Sequence, residues 1–67
     1  MKKEEFKTHW PVLKPEVQKK WPKLTEAEIE NIDGNLTLLV TTLQSNYFFV
    51  QEQAEQEIKN LYDSLIT

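Results

Sequence analysis

The chain has 67 residues, no cysteine, a single histidine and a formal net charge of −3. That length holds one small domain, placed at residues 1–67. Missing thiols exclude a disulfide scaffold, a thiolate zinc site, an iron–sulfur cluster and a cysteine nucleophile, and one imidazole argues against a histidine-built metal site or a histidine triad.

Other exclusions follow from the bulk numbers. Mean hydropathy is polar, yet 39% of residues are hydrophobic and 10% aromatic, too much for an acidic tail that stays disordered. The start, Met1-Lys2-Lys3-Glu4-Glu5, lacks the apolar run of a secretory leader. No apolar stretch approaches the ~20 residues of a membrane span. The expected location is cytoplasmic. Charge is uneven along the chain: residues 1–23 carry seven lysines and three glutamates, whereas residues 24–67 carry Lys59 and eight acids. Arginine is absent. This split predicts two solvated faces that attract each other within the fold.

Phe6, Trp10, Leu13, Val17, Trp21 and Leu24 step by three or four residues, the period of one helical stripe. Pro11 and Pro15 interrupt it. Each removes an N–H and crowds the preceding turn, at roughly 3 kcal/mol in a helix interior. The expected resolution is a short first segment up to Trp10, an irregular connection, and a helix over 15–21 with Pro15 in its first turn and Pro22 ending it.

Next, Leu24-Thr25-Glu26-Ala27-Glu28 carries the pattern of a capping box, Thr25 with Glu28, and of a hydrophobic staple, Leu24 with Ile29. The spacing predicts a helix over 26–33, stopped at Asp33-Gly34 with Gly34 in the left-handed conformation. From Asn35, the residues Leu36, Leu39, Val40, Leu43 and Tyr47 again read as a helical stripe, against the β-branched bias of Thr37, Val40, Thr41 and Thr42. Tyr47-Phe48-Phe49-Val50 reads as a corner. Ala54, Ile58, Leu61 and Leu65 then predict a last helix over 51–65, with Glu55 and Lys59 as an i,i+4 ion pair. The fold class is all-α, a small irregular array of three to four short helices.

These landmarks, in this order, resemble the CsbD-like family of small bacterial stress proteins. The resemblance runs from Trp10 to about Leu61. It rests on Trp10, Leu13-Lys14, Val17, Trp21, Lys23-Leu24-Thr25 with the acidic turn to Glu28, Ile32 and Gly34, Leu39-Val40, Leu43-Gln44, Tyr47, Ala54-Glu55 and Ile58. The family usually has glycine after the Leu-Lys pair, after the second tryptophan and after the tyrosine. Here those positions are Pro15, Pro22 and Phe48. The family's third helix is normally rich in charge, whereas Gly34 to Gln51 here contains no charged residue. The resemblance implies a general stress-response context and an array of short helices. It brings no catalytic residues, no cofactor and no metal.

Candidate chemistry is sparse. His9 is read as a partly solvated surface residue, and Glu26, Glu28, Glu30 and Asp33 as helix-capping acids rather than acid–base pairs or a calcium loop. Trp10 and Trp21 are core residues first. Lys14, Lys19, Lys20 and Lys23 beside Trp21 form the nucleic-acid alternative, weakened by overall acidity and the missing arginines. Asn35-Leu36-Thr37 matches a glycosylation acceptor, without meaning in a chain lacking a leader. The strongest feature is the uncharged segment. One helix face buries Leu36, Leu39, Val40 and Leu43, which leaves Leu38, Phe48, Phe49 and Val50 as a candidate interface. The expected function is a non-enzymatic protein that acts by binding or self-association through this apolar surface. The partner is a second copy or another protein, with nucleic acid disfavoured.

Overall fold

The computed structural model describes residues 2–66. Five helices follow one another: α1 (Lys3–Thr8), α2 (Trp10–Lys20), α3 (Glu26–Ile32), α4 (Leu36–Tyr47) and α5 (Gln51–Ile66). The all-α expectation holds, but the count of three to four is too low: the first stripe alone supplies two helices, divided at His9.

The prolines explain where the first stripe divides. Pro11 lies in the opening turn of α2, where its missing N–H has no intrahelical partner to lose. Leu13 N donates to His9 O at 3.0 Å, so helical bonding already runs before Pro15. Pro15 therefore sits inside α2, not at its start, and the helix expected over 15–21 spans Trp10–Lys20. Only one interior N–H is missing there. The burial of Trp10, Leu13 and Val17 on one side of this helix offsets that loss.

Thr25 caps α3 as its spelling requires. Its Oγ1 accepts from Glu28 N at 3.1 Å, and Glu28 Oε1 accepts from Thr25 N at 3.0 Å. The helix ends at Ile32, and both Asp33 (φ 43°) and Gly34 (φ 80°) turn left-handed. Gly34 has a second reason to be glycine. A Cβ there would stand 3.2 Å from Lys7 Cγ and Trp10 Cβ, so the turn packs directly on the junction of α1 and α2. Asn35 then caps α4, its Oδ1 accepting from Leu38 N at 3.2 Å.

One core is shared by all five helices. It holds the whole first stripe, Phe6, Trp10, Leu13, Val17, Trp21 and Leu24, together with Ile29, Ile32, Leu39, Val40, Leu43, Ala54, Ile58 and Tyr62. The helical reading of 36–47 prevails over its β-branched bias because this face is buried against α1, α3 and α5. Two details of the last helix differ from expectation. Its buried line runs Ala54, Ile58, Tyr62, while Leu61 is half-buried and Leu65 is exposed. Lys20, not Lys59, supplies an ion-pair partner to this helix, through Glu57 at 3.4 Å.

Candidate functional site

The two charge-biased parts of the chain do meet. Lys14 pairs with Glu30, Lys20 with Glu57 and, within α2, Lys19 with Glu16 at 3.9 Å. The remaining lysine of this group, Lys23, places Nζ 5.2 Å from the centre of the Tyr47 ring. Lys23 N also donates to Tyr47 Oη at 3.1 Å, which ties the α2–α3 connection to the end of α4. Trp10 and Trp21 are buried, as their spacing implies.

One acid, Glu28, ties two helices together. Glu28 closes the capping box with one oxygen and accepts from Asn46 Nδ2 at 2.9 Å with the other, locking α3 to α4. The backbone N–H of Thr25, then Asn46, hold its carboxyl below the ordinary carboxylate value. His9 is half-buried between α1 and α2, its ring edge-on to Tyr62 at 5.8 Å. Burial, then the charges of Glu5 and Asp63, push the Tyr62 phenol up. Among the described residues no polar or charged side chain is buried, and no group of three His, Cys, Asp or Glu is placed to hold a metal ion. Two open grooves of about 320 and 370 Å³ run beside α4, sharing Lys3, Leu36 and Thr37.

The four residues expected at an interface separate into different environments. Phe48 is 88% exposed and Val50 66%. Phe49, between them, turns inward: it is half-buried and stacked on Tyr47 with ring centres 5.6 Å apart. Leu38 is only 38% exposed and lies ten residues before Phe48, about 15 Å along the helix axis. The structure therefore forms an apolar corner at Phe48 and Val50, with Leu38 at the far end of α4 and Phe49 within the fold.

That corner breaks two local rules. Phe48 adopts φ 60°, ψ 28°, the left-handed region that a residue with a Cβ enters at roughly 1–2 kcal/mol. Val50 accepts from Ala54 N through its carbonyl, so it stands where a helix N-cap favours Ser, Thr, Asp or Asn. Neither side chain gains burial in return. A glycine would take this left-handed turn freely, whereas this chain places an exposed phenyl ring there.

Comparison with known proteins agrees with the order of landmarks. A UPF0337 protein of Protochlamydia amoebophila is 36% identical over 63 residues, covering 94% of this chain and 96% of its own. One of Pseudomonas aeruginosa is 32% identical over 65 residues, 97% of this chain and all of its own. The chain belongs to the CsbD-like family, UPF0337. A third CsbD-like relative, UPF0337 protein YjbJ of Escherichia coli K12, is 34% identical over 58 residues, 87% of this chain and 84% of its own. No family model matches the chain, and no solved structure matches it significantly. Among the described residues no helix is long and apolar enough to cross a membrane.

Proposed function

We propose that this CsbD-like chain is a non-enzymatic, cytoplasmic stress-response protein that acts by binding another protein surface through the apolar corner at Phe48 and Val50. The observation that carries the reading is Phe48: a phenyl ring 88% exposed on backbone at φ 60°. A bulky apolar residue held in a costly conformation, without burial, serves contact rather than folding. The carboxylates support the absence of catalysis, since Glu28 is spent on capping and Glu16, Glu30 and Glu57 on lysines. The carboxylates of Glu30 and Glu57 beside Lys14 and Lys20 reduce the local positive potential, which weighs against the nucleic-acid alternative. The stress context rests on family membership.

A photo-crosslinking side chain placed at Phe48, and at exposed Gln18 as control, tests the reading in stressed cells. The expected result is discrete protein adducts from position 48 that are absent from position 18. Equal labelling from both positions, or none from either, overturns it.

A further inference from the structure

The turn between α3 and α4 carries chemistry in its backbone. The only glycine of the chain directly follows an aspartate, Asp33. Lacking a Cβ, Gly34 leaves its own nitrogen less hindered than any other residue would. We infer that Asp33–Gly34 is an isoaspartate-forming site gated by the fold: the native turn blocks the reaction, and the product of the reaction blocks the turn. In this reaction the backbone nitrogen of Gly34 attacks Asp33 Cγ. The N–Cγ bond forms, a Cγ–OH bond breaks, and the hydroxyl leaves with the amide proton as water. The product is a five-membered succinimide. Water then opens the ring. Cleavage between nitrogen and Cγ restores aspartate, and cleavage between nitrogen and the backbone carbonyl carbon gives isoaspartate. No oxidant, reductant or further reagent is consumed.

The geometry of the turn sets the gate. Asp33 is exposed, but its backbone at φ 43°, ψ 45° places Gly34 N on the side of the Cα–C bond opposite Cβ. Ring closure needs the two nearly eclipsed, so ψ must first turn by roughly half a revolution. The closed turn has no freedom for that rotation. Asp33 N donates to Ile29 O at 3.4 Å and Asn35 N donates to Ile32 O at 2.8 Å. Gly34 between them is buried against Lys7 and Trp10, where an added Cβ would stand 3.2 Å from Lys7 Cγ and Trp10 Cβ. The reaction therefore proceeds from the open turn, at a rate scaled by the fraction of molecules in which this connection has come away. Isoaspartate carries its main chain through Cβ and Cγ. That inserts one more backbone atom at a place without room for a methyl group. The product cannot reseat Gly34, and an opening of the turn is retained as a covalent mark.

The test ages the full chain in one buffer at one temperature, in three portions: folded, unfolded in guanidinium chloride, and folded in sodium chloride of equal concentration. Peptide mapping with electron-transfer fragmentation locates and counts isoaspartate at position 33. The unfolded portion should form it at least tenfold faster than either folded portion. Comparable rates in folded and unfolded chains, or no isoaspartate in the unfolded chain, overturns the gate. The second half is read on the full chain made by chemical synthesis with isoaspartate at position 33. Its urea midpoint should fall below that of the synthetic parent, because Gly34 cannot reseat. An equal midpoint overturns the claim that the product blocks the turn.

Discussion

Phe48→Gly should make this protein more stable. The side chain is 88% exposed, so deleting it returns only about an eighth of a ring surface to water. For a phenylalanine of some 200 Å² that is about 25 Å², or about 0.6 kcal/mol. Against this, glycine removes the roughly 1–2 kcal/mol cost of the left-handed backbone at φ 60°. The net gain is about 0.4–1.4 kcal/mol, a sizeable fraction of the roughly 3–5 kcal/mol available to a core of this size, and worth about 2–11 °C in Tm. Phe48→Ala isolates the cause. It deletes the same ring but keeps a Cβ in the strained turn, so the glycine variant should exceed it by about 1 kcal/mol. Urea unfolding followed by fluorescence of buried Trp10 and Trp21 measures all three chains, at concentrations too low for self-association. A glycine variant no more stable than the alanine variant refutes the assignment of strain to this turn.

Gly34→Ala should act in the opposite direction, because a Cβ at φ 80° would also meet Lys7 and Trp10 at 3.2 Å. A loss of about 1–3 kcal/mol is expected, and an unchanged urea midpoint would contradict the close approach. Thr25→Ala should cost about 1 kcal/mol through the cap of α3, read in the same titration. Since Glu28 is held below its ordinary value of 4.5, its contribution is present above that pH and is lost as pH falls through the lowered folded value. Glu28→Gln should flatten that acid limb of the stability curve, and an unaltered slope would assign the limb to other groups. Tyr62 is shifted upwards from 10.0, so its contribution is complete below that pH and disappears as pH rises through the raised folded value. Tyr62→Phe should flatten the alkaline limb, and an equally steep loss in that variant would exclude Tyr62 as its source.

The core was legible wherever apolar period and local signals agreed. All six residues of the first stripe are buried, and the Thr25–Glu28 box forms as spelled. Proline placement was harder, because a proline cost per residue does not say which flanking break is cheaper. Burial of Trp10 and Leu13 on the same side as Val17 favours one helix through Pro15, with the interruption moved to His9. Tyr62 was missed for a related reason. A tyrosine reads as polar in a helical pattern, yet its ring body packs in the core against His9 while the hydroxyl keeps the carboxylates of Glu5 and Asp63 within electrostatic reach. Asn35 was legible in principle as an asparagine just ahead of a helical stripe. The tie from Lys23 to Tyr47 and the lock from Glu28 to Asn46 were not, since both join residues at least 18 apart in the chain.

At the candidate site the sequence showed an excess of apolar residues but could not divide it. Phe48 and Phe49 are adjacent and chemically identical, and a half-turn of backbone decides between them: the left-handed φ at Phe48 ends α4 and lets Phe49 fold back onto Tyr47. The one ring that remains outside is also the one whose backbone is strained. That coincidence gives folding and contact opposite requirements at a single position. If the ring at position 48 served the monomer, glycine there would weaken both the fold and any association. If it serves contact with a partner protein, the glycine variant should unfold at higher urea yet give fewer protein adducts from a photo-crosslinking side chain at neighbouring exposed Val50. Measuring both quantities on the same protein separates the two roles, because a purely structural residue cannot move them in opposite directions.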